Sequence, residues 1–442
     1  MKKSMKNKKV GLISLGCAKN QVVSEQMLKK LKDAGFKIVS NQYEAEIIVI
    51  NTCAFIEEAQ EEAIDTILET NKLRTEGKLQ KLIVTGCLAE LFKEEVRKEL
   101  PEVDAVLGAH SCLDIVKAIE ECEAGENPEY FAPSSKTPPE EERLISTGEH
   151  WAYLLIADGC DNGCTYCVIP RIRGRFKSRP MEKVLKEAEK LADMGYNELI
   201  LVAQDLSHYG FDLYGKNSLA ALLKELTKIE KLQWIRLHYI YPSEIDEELI
   251  ETIANDPKIL KYIDMPIQHI NDRVLKLAGR IDRGEKIKST IALLREKIPD
   301  IVIRSSLITG LPGEDEEAFL ELMDFLREYK LQRVGTFAFS PQEGTAAARM
   351  EHVSRELAER RAEVLMDEQI RIMEAWEQSL SGKTIDAKCD YVNLSGEKMG
   401  RAYFDSPGVD GSLKILGNCS EGDIIKVKIV SAQNGEMIGE II

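Results

Sequence analysis

The chain has 442 residues, ten of them cysteine, with a formal net charge of −16 and a pI near 5.1. That length exceeds one ordinary domain and predicts roughly two to four, each able to bury a core. The acidic balance disfavours nucleic acid, whose phosphates call for a basic surface, and suits a basic protein partner; no apolar stretch reaches the length of a membrane span, so no membrane role is expected.

The first strand is predicted at residues 10–15. Lys2 and Lys3 precede this apolar run, but it is shorter than the core of a secretion signal. The thiols are therefore expected reduced, in the cytoplasm, where cysteines serve metal clusters or catalysis before disulfides. Further nearly all-apolar runs at 47–50 and 82–84 read as central parallel strands. Amphipathic stretches lie between them, such as 24–34, which Gly35 is placed to end. The pattern is that of a doubly wound parallel α/β sheet.

Each of these three strands is followed within a few residues by a cysteine. Cys17 stands in Leu15-Gly16-Cys17-Ala18-Lys19-Asn20, Cys53 in Asn51-Thr52-Cys53-Ala54-Phe55, and Cys87 in Thr85-Gly86-Cys87-Leu88. Ligands of open α/β sheets bind outside the carboxyl ends of the strands. Taken singly, each cysteine reads as an ordinary core residue; together, at equivalent strand ends, they predict a three-thiolate cluster site. Cys112 and Cys122 lack that placement and are expected to be structural.

Residues 127–144 carry Pro128, Pro133, Pro138 and Pro139 among serines and acids, without periodicity, and read as a linker. The alternation resumes with a strand at 152–157, which leads into Gly159-Cys160-Asp161-Asn162-Gly163-Cys164-Thr165-Tyr166-Cys167. Cys160, Cys164 and Cys167 are spaced CxxxCxxC on one loop, enough to hold three corners of an iron–sulfur cube whose usual ligation is four cysteines. A structural zinc site would need a fourth ligand, usually from a second CxxC or a histidine pair, and none lies near. The segment resembles the radical S-adenosylmethionine (SAM) enzymes, a likeness that implies SAM binding at the open iron.

Beyond the motif, a helix is predicted at 181–194 and strands at 199–203, 234–237, 262–267, 301–308 and 334–339. About six β/α units make a partial TIM-type (β/α)6 barrel, in which active residues gather at the strands' C-terminal ends. A long charged helix at 356–379 follows. Strands at 384–391, 400–404, 424–429 and 437–441, separated by Gly, Asn and Asp turns, fit a small five-stranded β-barrel. The expected organisation is an N-terminal α/β domain at 9–126, a linker at 127–144, a radical SAM core at 145–378 and a β-barrel at 379–442.

Across its whole length the chain resembles the methylthiotransferases that carry a TRAM domain. Within that family the residues around Cys17, with Val22 and Ser24-Glu25, are similar to the RimO-type branch, which modifies an aspartate of a small-subunit ribosomal protein. So are Asn51-Thr52-Cys53-Ala54-Phe55-Ile56, Gly159 through Pro170 with Arg173-Gly174, and Gly400-Arg401-Ala402-Tyr403 with Asp410-Gly411. The tRNA branches carry Gln-Met-Asn or Arg-Val-Asn after the first cysteine instead of Ala-Lys-Asn. Gln21 and Val23 depart from the branch pattern, which has Leu and Asp there.

The resemblance implies two [4Fe–4S] clusters and SAM. Cys160, Cys164 and Cys167 would hold the SAM-cleaving cluster, and Cys17, Cys53 and Cys87 an auxiliary one that carries the sulfur to be transferred. Tyr166, Glu198, Gln204, Arg304 and Gly310 are candidate SAM contacts: Tyr166 against the adenine, Glu198 at the amino group and Arg304 at the carboxylate. Gln204 stands at a strand's C-terminal end, and Gly310 lies in a turn that lets backbone approach closely. Three have an ordinary alternative: Tyr166 reads equally as a shield for the cluster, Glu198 as an exposed turn acid, and Arg304 as the partner of a neighbouring acid. His269, in a family pattern of underivable role, reads as a structural histidine.

The expected partners are a basic small-subunit ribosomal protein and a low-potential electron donor. Between Lys383 and Ile442 seven basic residues face nine acids, which suits a basic protein better than tRNA. The alternatives are a tRNA adenosine methylthiotransferase and a non-enzymatic iron–sulfur electron carrier.

Overall fold

The computed structural model describes residues 7–134 and 142–442. It divides into two compact units. One comprises the chain up to Ser146 with residues 158–161 and 167–177; the other comprises residues 147–157, 162–166 and 178–442.

The first unit is built on a six-stranded sheet: β1 (Lys9–Ser14), β2 (Lys37–Ile38), β3 (Ile47–Thr52), β4 (Lys81–Gly86), β5 (Ala105–Gly108) and β6 (Glu129–Tyr130). The order is β2-β1-β3-β4-β5-β6, and every pair is parallel. β3 shows why so apolar a run becomes a central strand. Ile47 and Val49 pack with Val23, Met27, Leu31, Ile115 and Ile119 on one face, while Ile48 and Ile50 meet Ala63, Ile67, Leu88 and Val96 on the other. Side chains alternate across a strand, so burial on both faces needs continuous apolar sequence. Cys112 and Cys122 lie in the first of these cores, as expected.

Two expectations change here. Strands β2 and β5 were not foreseen, being a two-residue edge and the four-residue run Ala105–Gly108. The expected linker contributes β6, which extends the sheet beside β5. Its later part is also held: Arg143 pairs with buried Glu25 at 2.8 Å, and Glu25 accepts the Ser146 N–H at 2.9 Å. Pro138 and Pro139 lie outside the described residues.

The second unit opens with β7 (Trp151–Leu155); β8 (Ala157–Asp158) and β9 (Lys177–Ser178) flank the cysteine loop in the sequence. The sheet continues through β10 (Glu198–Val202), β11 (Trp234–Leu237), β12 (Ile259–Asp264), β13 (Val302–Thr309) and β14 (Arg333–Ala338). These pair in chain order, all parallel, as six strands of a partial barrel. The helix Arg355–Gln378 follows, capped by the Ser354 hydroxyl, which accepts from Leu357 N–H.

Five strands then close into a barrel: β15 (Thr384–Val392), β16 (Lys398–Ala402), β17 (Ser412–Leu416), β18 (Ile424–Gln433) and β19 (Glu436–Ile441). Its core, including Ala387, Phe404, Leu413 and Val427, is continuous with Trp234, Leu260, Tyr262 and Val302 near the N-terminal ends of the larger sheet's strands. Among the described residues no helix is long and apolar enough to cross a membrane.

Candidate cluster sites

In the first unit Cys53 and Cys87 follow β3 and β4 directly, and Cys17 stands three residues beyond the end of β1. The strand order reverses between β1 and β3, and such a switch point is where open α/β sheets bind ligands. Cys17 is the N-cap of helix Ala18–Asp33 and Cys87 the first residue of helix Cys87–Glu99. Glycine precedes both because the chain must turn sharply there. Gly16 has φ +84°, and a Cβ on it would stand 2.8 Å from the Cys53 Sγ; Gly86 has φ +97°, with a Cβ 2.4 Å from Asn51 Oδ1.

The polar residues between the cysteines hold the pocket. Asn20 Nδ2 donates to Leu15 O at 3.1 Å and to Thr52 O at 2.9 Å, tying the first cysteine turn to the second. Asn51 Nδ2 donates to Asn20 O at 3.0 Å. Thr52 Oγ1 donates to Thr85 O at 2.6 Å and accepts from Leu88 N–H at 3.2 Å, which ties the second to the third. Arg173, itself buried, places Nη2 against Asn20 Oδ1 and 3.6 Å from Cys87 Sγ. Sequence reasoning matched these residues to family patterns without finding their work; the signal available was polar residues beside each cysteine in otherwise apolar strands.

The electrostatics suit a metal cluster. Burial pushes Cys53 up to about 11, and charge on Cys17 and Cys87 adds to the rise. Burial also raises Cys87, against the pull of Arg173. Cys17 ends below the usual thiol range: burial opposes ionisation, but Lys19, Arg173 and backbone N–H groups outweigh it. Three adjacent thiolates repel one another, and a bound metal both displaces their protons and neutralises them. The residues present therefore fit a three-cysteine cluster, with Arg173 and Lys19 offsetting its negative charge.

The CxxxCxxC loop contributes to both units: Cys160 and Cys167 belong to the first, Cys164 to the second. Gly159 has φ +80°, and a Cβ there would sit 2.2 Å from Arg175 O. Cys160 N–H donates to Gly174 O at 3.2 Å, and Cys167 Sγ accepts from Ile169 N–H at 3.4 Å. In the second unit, residues 162–166 are fastened to loops at the strands' C-terminal ends. Asn162 Nδ2 donates to Asp205 at 2.7 Å; Thr165 N–H and Oγ1 donate to Ala278 O and Leu277 O at 2.9 and 2.8 Å. Tyr166 packs against the apolar cluster of Val274, Ala278, Leu311 and Phe339.

Three of the proposed SAM contacts are corrected. Glu198 begins β10, about 20 Å of strand length from Gln204 beyond its other end. It is fully buried and paired with Arg401, Arg236 and Lys388, so it is neither an exposed turn acid nor available to an amino group. Arg304, third of the eight residues of β13, pairs with Asp264 at 3.2 Å and Asp410 at 3.5 Å, which engages its guanidinium. Gly310, just past β13, does allow a close approach, but to protein: a Cβ would stand 2.5 Å from the Ala358 Cβ. Gln204 keeps its place beyond the C-terminal end of β10, beside Asp205. His269 is buried, accepting from Asn271 N–H at 3.0 Å with Nε2 3.3 Å from Glu314, a structural role.

Comparison with known proteins matches three families along the chain: the uncharacterized protein family UPF0004 at residues 9–108, the radical SAM superfamily at 154–326 and the TRAM domain at 381–442. Among solved structures, the radical SAM methyltransferase TsrM from Kitasatospora setae, with tryptophan and a SAM analogue bound, aligns with a TM-score of 0.54 at 15% identity, covering 75% of this chain and 73% of its own. That likeness is one of fold. The ribosomal protein uS12 methylthiotransferase RimO of Acetivibrio thermocellus is 44% identical over 98% of both chains. The proteins of the same name from Thermoanaerobacter sp. and Symbiobacterium thermophilum are 43% and 40% identical over 98% of this chain, covering 100% and 90% of their own. With radical SAM and TRAM regions in this chain and RimO relatives aligned to it nearly end to end at 40–44% identity, the chain belongs to the RimO family of radical SAM methylthiotransferases.

Proposed function

We propose that this protein is a SAM-dependent methylthiotransferase acting on ribosomal protein uS12, adding a methylthio group to the β-carbon of an aspartate. The observation that carries the reading is the convergence of Cys17, Cys53 and Cys87 on one sheet edge, in a chain aligned end to end with relatives of that name. The hydrogen on such a carbon is too weakly acidic for any side chain to remove, so a radical cofactor must supply the chemistry. Two iron–sulfur clusters and SAM supply it here when bound: electron transfer into SAM at one, a reservoir of transferable sulfur at the other.

The chain's own residues bind and orient these groups. Cys160, Cys164 and Cys167 ligate the SAM-cleaving cluster, and the bonds from Asn162 to Asp205 and from Thr165 to residues 277–278 fix their loop. Cys17, Cys53 and Cys87 ligate the second, with Lys19 and Arg173 favouring the Cys17 thiolate. The partner is a basic ribosomal protein, in keeping with an acidic chain and the excess of acids in its barrel. A low-potential donor supplies electrons in the cytoplasm.

Anaerobic reconstitution followed by iron and sulfide assay, deoxyadenosine measurement and parallel offers of a uS12 loop peptide and unmodified tRNA tests the reading. The expected result is deoxyadenosine formation with a methylthiolated peptide. Modified tRNA beside an untouched peptide would reverse the substrate, and absence of deoxyadenosine with dithionite and SAM would reject the radical chemistry.

A further inference from the structure

Tyr241 lies in the loop after β11, and its hydroxyl stands 3.3 Å from Cys164 Sγ. A cysteine that ligates metal has lost its proton, which leaves the tyrosine hydroxyl as the only donor in that contact. Two features hold it there. The Tyr241 N–H donates to Ser207 Oγ at 3.2 Å, and Ser207 N–H donates to Asp205 Oδ1 at 3.0 Å while Asp205 Oδ2 accepts from Asn162. Two residues of the cysteine loop, Asn162 and Cys164, are thus gripped by one connected set of side chains. Upstream, Tyr239 adopts φ +61°, a costly conformation for a bulky residue, and its carbonyl accepts from Leu206 N–H at 2.9 Å.

Arg280 completes the arrangement. Its side chain is fully buried, with Cζ 4.2 Å from the centroid of the Tyr241 ring. Nη2 donates to Asp282 Oδ2 at 2.9 Å and to Pro266 O at 2.8 Å, whereas Nε and Nη1 meet no hydrogen-bond acceptor among the described residues. Asp282 also accepts from Ser243 N–H at 2.8 Å, so the carboxylate that holds Arg280 also holds the loop that carries Tyr241. A guanidinium over an aromatic face is attracted by the ring's electrons. By drawing on them it makes the phenol hydroxyl a stronger donor.

We propose that Tyr241, oriented and polarised by Arg280, is a positioning residue that hydrogen-bonds the metal-bound sulfur of Cys164 and raises the reduction potential of the SAM-cleaving cluster. The inference rests on the assignment of Cys164 as a ligand. Hydrogen bonds to cluster sulfurs are among the protein's means of setting potential, because they draw off negative charge and so favour the reduced state.

The test uses the full-length chain with Cys17, Cys53 and Cys87 changed to Ala, leaving one cluster to load, with and without Tyr241→Phe. Iron and sulfide per chain are measured, then the potential by electron paramagnetic resonance during a redox titration. The expected result is equal iron and, at a fixed potential, about a tenfold lower ratio of reduced to oxidised cluster in Tyr241→Phe, which is about 59 mV for a one-electron couple. Arg280→Lys, which keeps the charge but not the planar stack, should shift in the same direction by less. An unchanged potential with full iron would overturn the proposal, as would loss of iron from Tyr241→Phe, which would make the residue a structural support. A parent chain that binds no iron would instead remove the ligand assignment, and the inference with it.

Discussion

Replacing Glu198 by Gln separates a structural role from a cofactor role. The carboxylate is fully buried and receives Arg401 Nη1 at 3.0 Å and Nη2 at 2.6 Å, Arg236 Nε at 3.2 Å and Lys388 Nζ at 3.5 Å. Burial pushes its carboxyl upward, but Arg401, Lys388 and Arg236 together hold it well below the usual carboxylate range. Glu198→Gln keeps the shape and removes the charge, leaving three cations without their shared counterion in a dry interior. Removing one partner of a buried ion pair costs about 3–5 kcal/mol. At about 2–4 °C per kcal/mol the midpoint should fall by roughly 6–20 °C, towards the lower figure in a unit this large. The assay is urea and thermal unfolding of the apoprotein beside SAM binding of the reconstituted enzyme. A variant that unfolds like the parent yet binds SAM much more weakly would refute the structural reading and restore Glu198 to the cofactor.

The same ion cluster has a pH signature. A carboxyl whose folded pKa is depressed contributes stability that is full above the ordinary glutamate range and lost as pH falls through the folded value. The stability gap between parent and Glu198→Gln should therefore be widest near neutrality and narrow below about pH 4, as urea titrations at several pH values would show. Cys17→Ala should lose about half of the bound iron and all methylthiolation while still forming deoxyadenosine, measured by iron assay and product chromatography. Gly86→Ala, forced to keep φ +97° with its Cβ 2.6 Å from Thr52 O, should cost about 1–3 kcal/mol in urea unfolding. Arg173→Gln should weaken iron retention at the Cys17 site by about 10–100-fold, read as transfer to a competing chelator, since partners of the ligands tune metal sites on that scale.

The legible parts were those written in local pattern. Strands β3 and β4 were visible as continuous apolar runs because both of their faces are buried, and CxxxCxxC was visible because its three cysteines share one loop. β6 was hidden in a proline-rich stretch because a two-residue edge strand needs only backbone pairing with β5, which leaves no side-chain period. Glu198 was misplaced for a related reason. It opens β10 rather than preceding it, and the cations that bury it come from β11, β15 and β16, more than 35 residues away at the nearest.

Composition, strand periodicity and cysteine spacing thus established the fold class and the six candidate ligands, since each depends on residues close in the chain. Which polar groups serve those ligands was decided only in three dimensions. Arg173 reaches Cys87 across 86 residues, Tyr241 reaches Cys164 across 77, and Arg401 reaches Glu198 across 203. A hydrogen bond or ion pair formed at such separation leaves no period in sequence, because topology alone brings its two ends together.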